Sequence, residues 1–246
     1  MGQLDGKTAL VTGANSGIGL AAARRFIAEG ARVFITGRRK EELASAAEQL
    51  GEQAVPVVGD VSDAGDLDRL FGEISANGAG LDVVFANAGS GEAATVDTIT
   101  QDGLDKVFAV NVGGTVFTVQ KALPLLNAGA SIVVTGSSSA HRGVVGSGAY
   151  SATKAALRQF VRVWAAELAH RDVRVNIIVP GPTDTPGLRG GLPEEFVQWF
   201  AGKTAMGRLG DPDETAAAVL FLSTAQSSFM TGSELFVDGG EVQVYL

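Results

Sequence analysis

Cysteine is absent from the 246 residues, which excludes disulfides and any thiolate-held metal site. Imidazole is scarce: only His141 and His170 are available, too few for a histidine metal cluster or a relay of several histidines. Basic residues are in deficit, 19 Lys and Arg against 27 Asp and Glu, for a formal net charge of −8. A general nucleic-acid binder needs a basic face that displaces counterions, so that class is set aside. No stretch approaches the roughly 18 uninterrupted apolar residues of a membrane span. The opening MGQLDGKTALV runs into an apparent strand without a signal-peptide pattern, and Gly6 stands where a myristoylation signal needs Ser or Thr. A cytoplasmic protein with no membrane partner is expected. What the chain has in excess is glycine, 33 residues, recurring where apparent strands end. That placement suggests close approach of the backbone to a ligand.

Short β-branched runs alternate with longer helical patterns. Strands are expected at 7–12, 31–36, 53–58, 82–87, 131–136, 173–178 and 234–238. Several are apolar almost throughout, as parallel strands covered on both faces must be. Helical segments intervene, such as 19–30 and 40–50, the latter with Leu43, Ala46, Ala47 and Leu50 on one stripe. This order predicts an α/β fold: a doubly wound, mostly parallel sheet of seven strands with helices on both faces. No linker or internal repeat divides residues 1–246, so one domain is expected. The rhythm breaks at 182–211, a Gly- and Pro-rich insertion carrying Phe196, Trp199 and Phe200. An insertion of this kind is more often functional than idle.

After the first strand comes TGANSGIG, residues 12–19. Gly13 permits the turn, and Gly17 and Gly19 let a dinucleotide and the next strand approach the helix. The helix N-terminus then faces a pyrophosphate with free N–H groups, beside Asn15, Ser16 and Ile18. At the end of strand 2, where an NAD enzyme places a carboxylate for the ribose hydroxyls, the chain reads Gly37, Arg38, Arg39. A guanidinium there pairs with a 2′-phosphate, which favours NADP(H) over NAD(H). The alternative is that Arg38 stacks on adenine while Arg39 is solvated. Asp60 and Val61 end strand 3, where Asp60 either meets the adenine amino group or serves as a local turn residue.

Further motifs fall at strand ends: Asn87-Ala88-Gly89, VNVGG at 110–114, TGSSS at 135–139 and VPGPTDT at 179–185. Ligands of doubly wound sheets sit outside the carboxyl ends of the strands, so these pieces converge on one crevice. Tyr150 and Lys154, four residues apart, share a face if their segment is helical. Together with VDGG at 237–240, the ordered set resembles the classical short-chain dehydrogenase/reductase family, a Rossmann fold, over essentially the whole chain. The resemblance implies Tyr150 as general acid/base, Ser137 as the hydrogen-bond partner of the substrate oxygen, and Lys154 as ribose ligand. Lys154 would also lower the phenol pKa, and Asn111 would complete a water-mediated proton path. Asn87, Ala88 and Gly89 would border the ribose. Pro180, Gly181, Thr183 and Thr185 would hold the carboxamide and pyrophosphate. A homotetramer or homodimer is implied as well, with the stripe Leu157, Phe160, Val161, Trp164 and Leu168 serving as core or helix–helix interface.

On the substrate side, Ser139, His141, Arg142, Val144 and Val145 lie between Ser137 and Tyr150 and are expected to line one wall. His141 is as readily a solvent-facing loop residue, and Arg142 either orients an anionic substrate or is a surface charge. Leu188, Leu192, Phe196, Trp199, Phe200 and Met206 are expected to form a lid. The favoured activity is NADPH-dependent reduction of a ketone to a secondary alcohol. A 3-oxoacyl-[acyl-carrier-protein] reductase is the alternative, disfavoured because 123–131 contains no basic residue to meet an acidic carrier. A dinucleotide-binding sensor or scaffold is the non-enzymatic reading, opposed by the intact Asn111, Ser137, Tyr150 and Lys154 set.

Overall fold

The computed structural model describes residues 2–190 and 193–244; Leu192 lies outside them. Seven strands form one parallel sheet, β1 (Thr8–Thr12), β2 (Arg32–Gly37), β3 (Ala54–Val58), β4 (Leu81–Ala86), β5 (Leu126–Thr135), β6 (Arg174–Pro180) and β7 (Glu234–Val237). Their order is β3-β2-β1-β4-β5-β6-β7. The chain steps outward from β1 in one direction and then returns to place β4 on its other side. The crevice between β1 and β4 is therefore the switch point where a ligand is expected.

Side-chain alternation along the strands builds two cores. Leu10, Val84 and Val134 point into one, while Ala9, Val11, Phe85 and Val133 point into the other. The first is covered by α3 (Ala64–Ala76), α5 (Gly114–Ala122) and α6 (Gly148–Leu168), and the second by α1 (Gly17–Ala28), α2 (Lys40–Leu50) and α9 (Pro212–Ser223). The stripe on α6 belongs to the first core: Leu157, Val161 and Leu168 are buried and Trp164 packs against them. On α2, Leu43, Ala46 and Leu50 are buried, whereas Ala47 is only half-buried.

Strand 5 begins five residues earlier than the apolar pattern suggested. Its first residues pair Leu126 with Leu81, after which the register shifts before Val83 meets Ser131. Ala128 and Gly129 are exposed there, so no apolar signal marked them as strand. The remaining helices are α4 (Gln101–Phe108), which a π-turn (Ala109–Gly113) joins to α5, and within the insertion α7 (Pro186–Arg189) and α8 (Glu194–Ala201). No described helix is long and apolar enough to cross a membrane.

Candidate active site

The glycine-rich turn after β1 is built on β1 and β4 together. Thr12 accepts from the backbone N–H groups of Asn87 and Ala88, each at 2.9 Å. The Asn87 amide donates to the Thr12 carbonyl at 3.0 Å and accepts from the Thr135 hydroxyl at 3.1 Å. Asn87 thus ties three strand ends together, a bracing role for its side chain that leaves only its backbone to border a ligand. A Cβ on Gly13 would lie 2.9 Å from the Ala88 backbone, and one on Gly19 would lie 2.3 Å from the Gly13 carbonyl oxygen. Both glycines are sterically required. Ser16 precedes α1 in extended backbone without capping it, and the first turn carries no carboxylate. Its N–H groups and dipole thus face outward without a protein anion, the arrangement that suits a pyrophosphate. Thr185 crosses in front of this turn, its methyl 3.1 Å from where a Gly17 Cβ would stand. Its hydroxyl accepts from the Leu188 N–H at 3.1 Å and caps α7. The Thr183 hydroxyl is turned inward to the Gly181 carbonyl at 3.0 Å, so it offers the site less than the sequence suggested. Ile18 packs against the second core.

Beyond β2, Gly37 is buried and any Cβ there would lie 2.9 Å from the Asn15 amide. A carboxylate there would have to displace the Asn15 side chain. Arg38 and Arg39 are 61% and 58% exposed, held at 3.7 Å from Asp60 and 3.2 Å from Glu42. Two exposed guanidiniums thus stand where a carboxylate could have been, with Arg39 also beside the Asn15 amide. Asp60 is largely a turn residue, accepting from the Ser62 backbone and hydroxyl at 2.9 and 2.7 Å. Val61 is buried and fills the gap left by Gly114, whose Cβ would lie 2.5 Å from a Val61 methyl.

The polar centre lies between the π-turn and α6. Asn111 is fully buried; it accepts from the Ser90 N–H at 2.8 Å, and donates to the Ser90 carbonyl at 2.9 Å and the Thr153 hydroxyl at 3.0 Å. Thr153 in turn donates to the Tyr150 carbonyl at 2.6 Å. The π-turn is therefore bonded to the helix turn that carries Tyr150. Lys154 is 3% exposed and donates to the Thr135 carbonyl at 2.8 Å, its nitrogen 5.7 Å from the Tyr150 ring centre. Gly89 lies over both: a Cβ there would be 3.4 Å from Asn111 Oδ1 and 3.5 Å from Lys154 Nζ. The Ser137 and Ser139 hydroxyls are 2.9 Å apart.

Burial pushes Lys154 down to about 8. It also pushes the Tyr150 phenol up, with Ser137 pulling the other way. The ammonium and the phenol thus stand side by side, each shifted mainly by desolvation.

The expected substrate wall is only partly assembled. His141 turns away to the sheet edge, with Nε2 3.1 Å from Glu234, Nδ1 3.2 Å from Arg158, and its ring edge-on to Phe236 at 4.8 Å. Arg142 is committed to Glu241, so it is not free to orient a substrate. Val144 and Val145 line a groove of about 620 Å³ with Phe108 of α4 and Ala149 and Ala152 of α6, and neither Ser137 nor Tyr150 lines it. Within the insertion, α8 is seated by Val197, whereas Phe196 and Trp199 are 49% and 46% exposed, and Phe200 meets Trp199 at 5.0 Å. Leu188 is half-buried. Met206 belongs instead to a second hollow of about 460 Å³ beside Pro182, Phe236 and Gly239. The sequence reading quoted Thr12 and Thr135 within motifs without giving them a role and missed Ser90 and Thr153, since small polar residues carry no signal until their partners are known.

A family model described as Enoyl-(Acyl carrier protein) reductase matches residues 13–241. The chain is 45% identical over 244 residues to "Oxidoreductase asL5" of Sarocladium schorii, covering 98% of each. Among solved structures it resembles a "short chain dehydrogenase/reductase family protein", 40% identical with a TM-score of 0.89, covering 98% of this chain and all (100%) of that one. It also resembles a protein provisionally described as a betaketoacyl-ACP reductase, 41% identical with a TM-score of 0.87 and the same coverage, 98% and 100%. The fold and the polar centre define a nicotinamide-dinucleotide oxidoreductase of the Rossmann class. More narrowly, the chain belongs to the classical short-chain dehydrogenase/reductase family.

Proposed function

We propose that this protein reduces a ketone to a secondary alcohol with NADPH, using Asn111, Ser137, Tyr150 and Lys154. The observation that carries the reading is the buried Lys154, anchored on Thr135 beside Tyr150 and under Gly89. An uncompensated ammonium is costly to bury, and such groups cluster at functional sites. Bound NADPH supplies the hydride. The protein supplies the proton and the alignment: Ser137 donates a hydrogen bond to the carbonyl oxygen, and Tyr150 delivers its phenolic proton there as the alcohol forms. At neutral pH the phenol carries its proton, the form that a reductive step needs. Lys154 would meet the ribose, Arg38 and Arg39 the 2′-phosphate, and Pro180 to Thr185 the far side of the dinucleotide.

The proposed domain is the whole chain, with 182–211 acting as lid. We place it in the cytoplasm as a homotetramer or homodimer. A second reading, 3-oxoacyl-[acyl-carrier-protein] reductase, is favoured by the description of one structural neighbour and opposed by the lack of basic residues in 123–131. Following NADPH absorbance with a panel of ketones and a β-ketoacyl thioester decides between them. Tight NADPH binding without oxidation by any of them would leave only a sensor or scaffold. Tyr150→Phe should lower turnover by about 10²–10⁴-fold while NADPH titration shows binding retained; equal loss of both would make Tyr150 structural.

A further inference from the structure

The C-terminal turn after β7 lies within the described residues and touches three separate parts of the proposed site. Asp238 shapes it, accepting from the Gly240 and Val242 N–H groups, each at 3.0 Å. The Gly181 N–H donates to the Val237 carbonyl at 3.0 Å, and a Cβ on Gly181 would lie 2.6 Å from Asp238 Cα. The loop carrying Pro180 to Thr185 is thus pressed against the turn with no room between. The lid's distal end is tied on as well: the Met206 N–H donates to the Gly239 carbonyl at 3.2 Å.

The third contact is electrostatic. Glu241, with a side chain only 1% exposed, pairs with Arg142, itself 28% exposed, across 99 residues of sequence. Arg142 closes the short 3-10 turn Ser138–His141 that follows Ser137 directly. Ser138 also faces the Glu241 carboxyl and pulls against the upward push of burial, while Arg142 Nε is buried with no hydrogen-bond partner among the described residues. A buried pair with an unsatisfied atom stabilises poorly for its burial, so such pairs are better explained by the geometry they impose. Breaking one side leaves the other as an uncompensated buried charge.

We propose that Glu241 is a positioning residue: through Arg142 it holds the turn after Ser137 in register with the 180–185 loop, so that the Ser137 hydroxyl stays aligned with Tyr150. The C-terminal turn is then a clasp for the active site. This role rests on the proposed reductase reading for its effect on turnover, but the clasp itself is a property of the fold. A misplaced hydrogen-bond donor costs rate without costing dinucleotide affinity, because the glycine-rich turn and Lys154 lie on other elements and the 180–185 loop keeps its own hydrogen bond from Gly181 to Val237.

The test uses Glu241→Gln, Arg142→Gln and the double variant, each full-length. Amide hydrogen exchange is followed in peptides spanning 137–147 and, as a reference, 40–50. Each single variant should speed exchange at 137–147 by about tenfold or more and leave 40–50 unchanged, and the double variant should add little to either single loss. With the best ketone of the panel, kcat should fall by about tenfold while the NADPH Kd stays within about twofold. Unchanged exchange at 137–147, or multiplicative losses in the double variant, overturns the clasp. Faster exchange with unchanged kcat overturns the positioning role. If Glu241→Gln does not fold, Arg142→Gln, altered on the more exposed partner, decides by the same readings. Should the wild type reduce no ketone, the reductase reading fails while the exchange experiment still decides the clasp.

Discussion

Lys154 shows how much a single residue can cost the resting protein. Its ammonium is half-deprotonated near pH 8 in the folded chain, against 10.5 for a free lysine. Between those values the unfolded chain holds the extra proton, so stability rises with pH across that window. Below pH 8 both states are charged and burial weighs in full, about 3 kcal/mol at ~1.4 kcal/mol per pKa unit. Lys154→Met removes that charge at the expense of the hydrogen bond to Thr135. The variant is expected to unfold at higher urea than the wild type at pH 7 without nucleotide, by roughly 1–3 kcal/mol. The gain should shrink towards zero by pH 10.5, and a gain independent of pH would mean that burial of charge is not its source. Arg38 poses the opposite case, an exposed cation whose value lies in what it meets. Arg38→Ala should raise the NADPH Kd about tenfold, as losing a charge-assisted pair does, and leave NADH unchanged. An unchanged ratio of the two affinities in a titration of the variant would refute the 2′-phosphate assignment.

At the scale of elements, local pattern and tertiary partnership separate what was legible from what was not. Strand β1 is buried at all five positions and reads as an apolar run, and α2 runs over the very residues its stripe marked. The start of β5 was hidden because Leu126–Gly129 pair at a register shift, partly in solvent, where no apolar alternation is needed. His141 and Met206 went astray for another reason. Loop position in sequence does not say which way a loop folds, and their contacts with Glu234 and Gly239 come from the distant β7 end. Asn111 was legible as a candidate position, but the π-turn that carries it and the Thr153 link were not, since both depend on α6 packing alongside. The turn between β1 and α1 was the most readable element because glycine there answers to sterics alone. Gly19→Ala sets a methyl 2.3 Å from the Gly13 carbonyl oxygen, and backbone cannot give as a flexible side chain can. We expect a loss of about 1–3 kcal/mol in urea unfolding together with loss of NADPH binding. Retained binding at wild-type affinity would show that the turn is not the pyrophosphate seat.

The molecule as a whole leaves one side unfinished. The layer of α4, the π-turn, α5 and α6 carries the 620 Å³ groove and an outer surface where Phe108, Phe117 and Val163 are 37%, 51% and 42% exposed. Nearby, Val96 and Val145 are 97% and 92% exposed. Single exposed apolar residues are ordinary, but aromatic and β-branched side chains along one helical layer are where the proposed homo-oligomer would associate. The face also backs directly onto the site, since α6 presents Val163 outward while holding Tyr150 and Lys154 at its first turns. Sedimentation velocity at micromolar concentration should therefore show a species of at least two chains. Phe117→Glu and Val163→Glu should each shift it towards the monomer with an unchanged far-ultraviolet circular dichroism spectrum, because a carboxylate in an apolar interface must be desolvated without a partner. A wild-type monomer would remove the assembly, and an assembly untouched by both substitutions would move its interface to another face of the sheet.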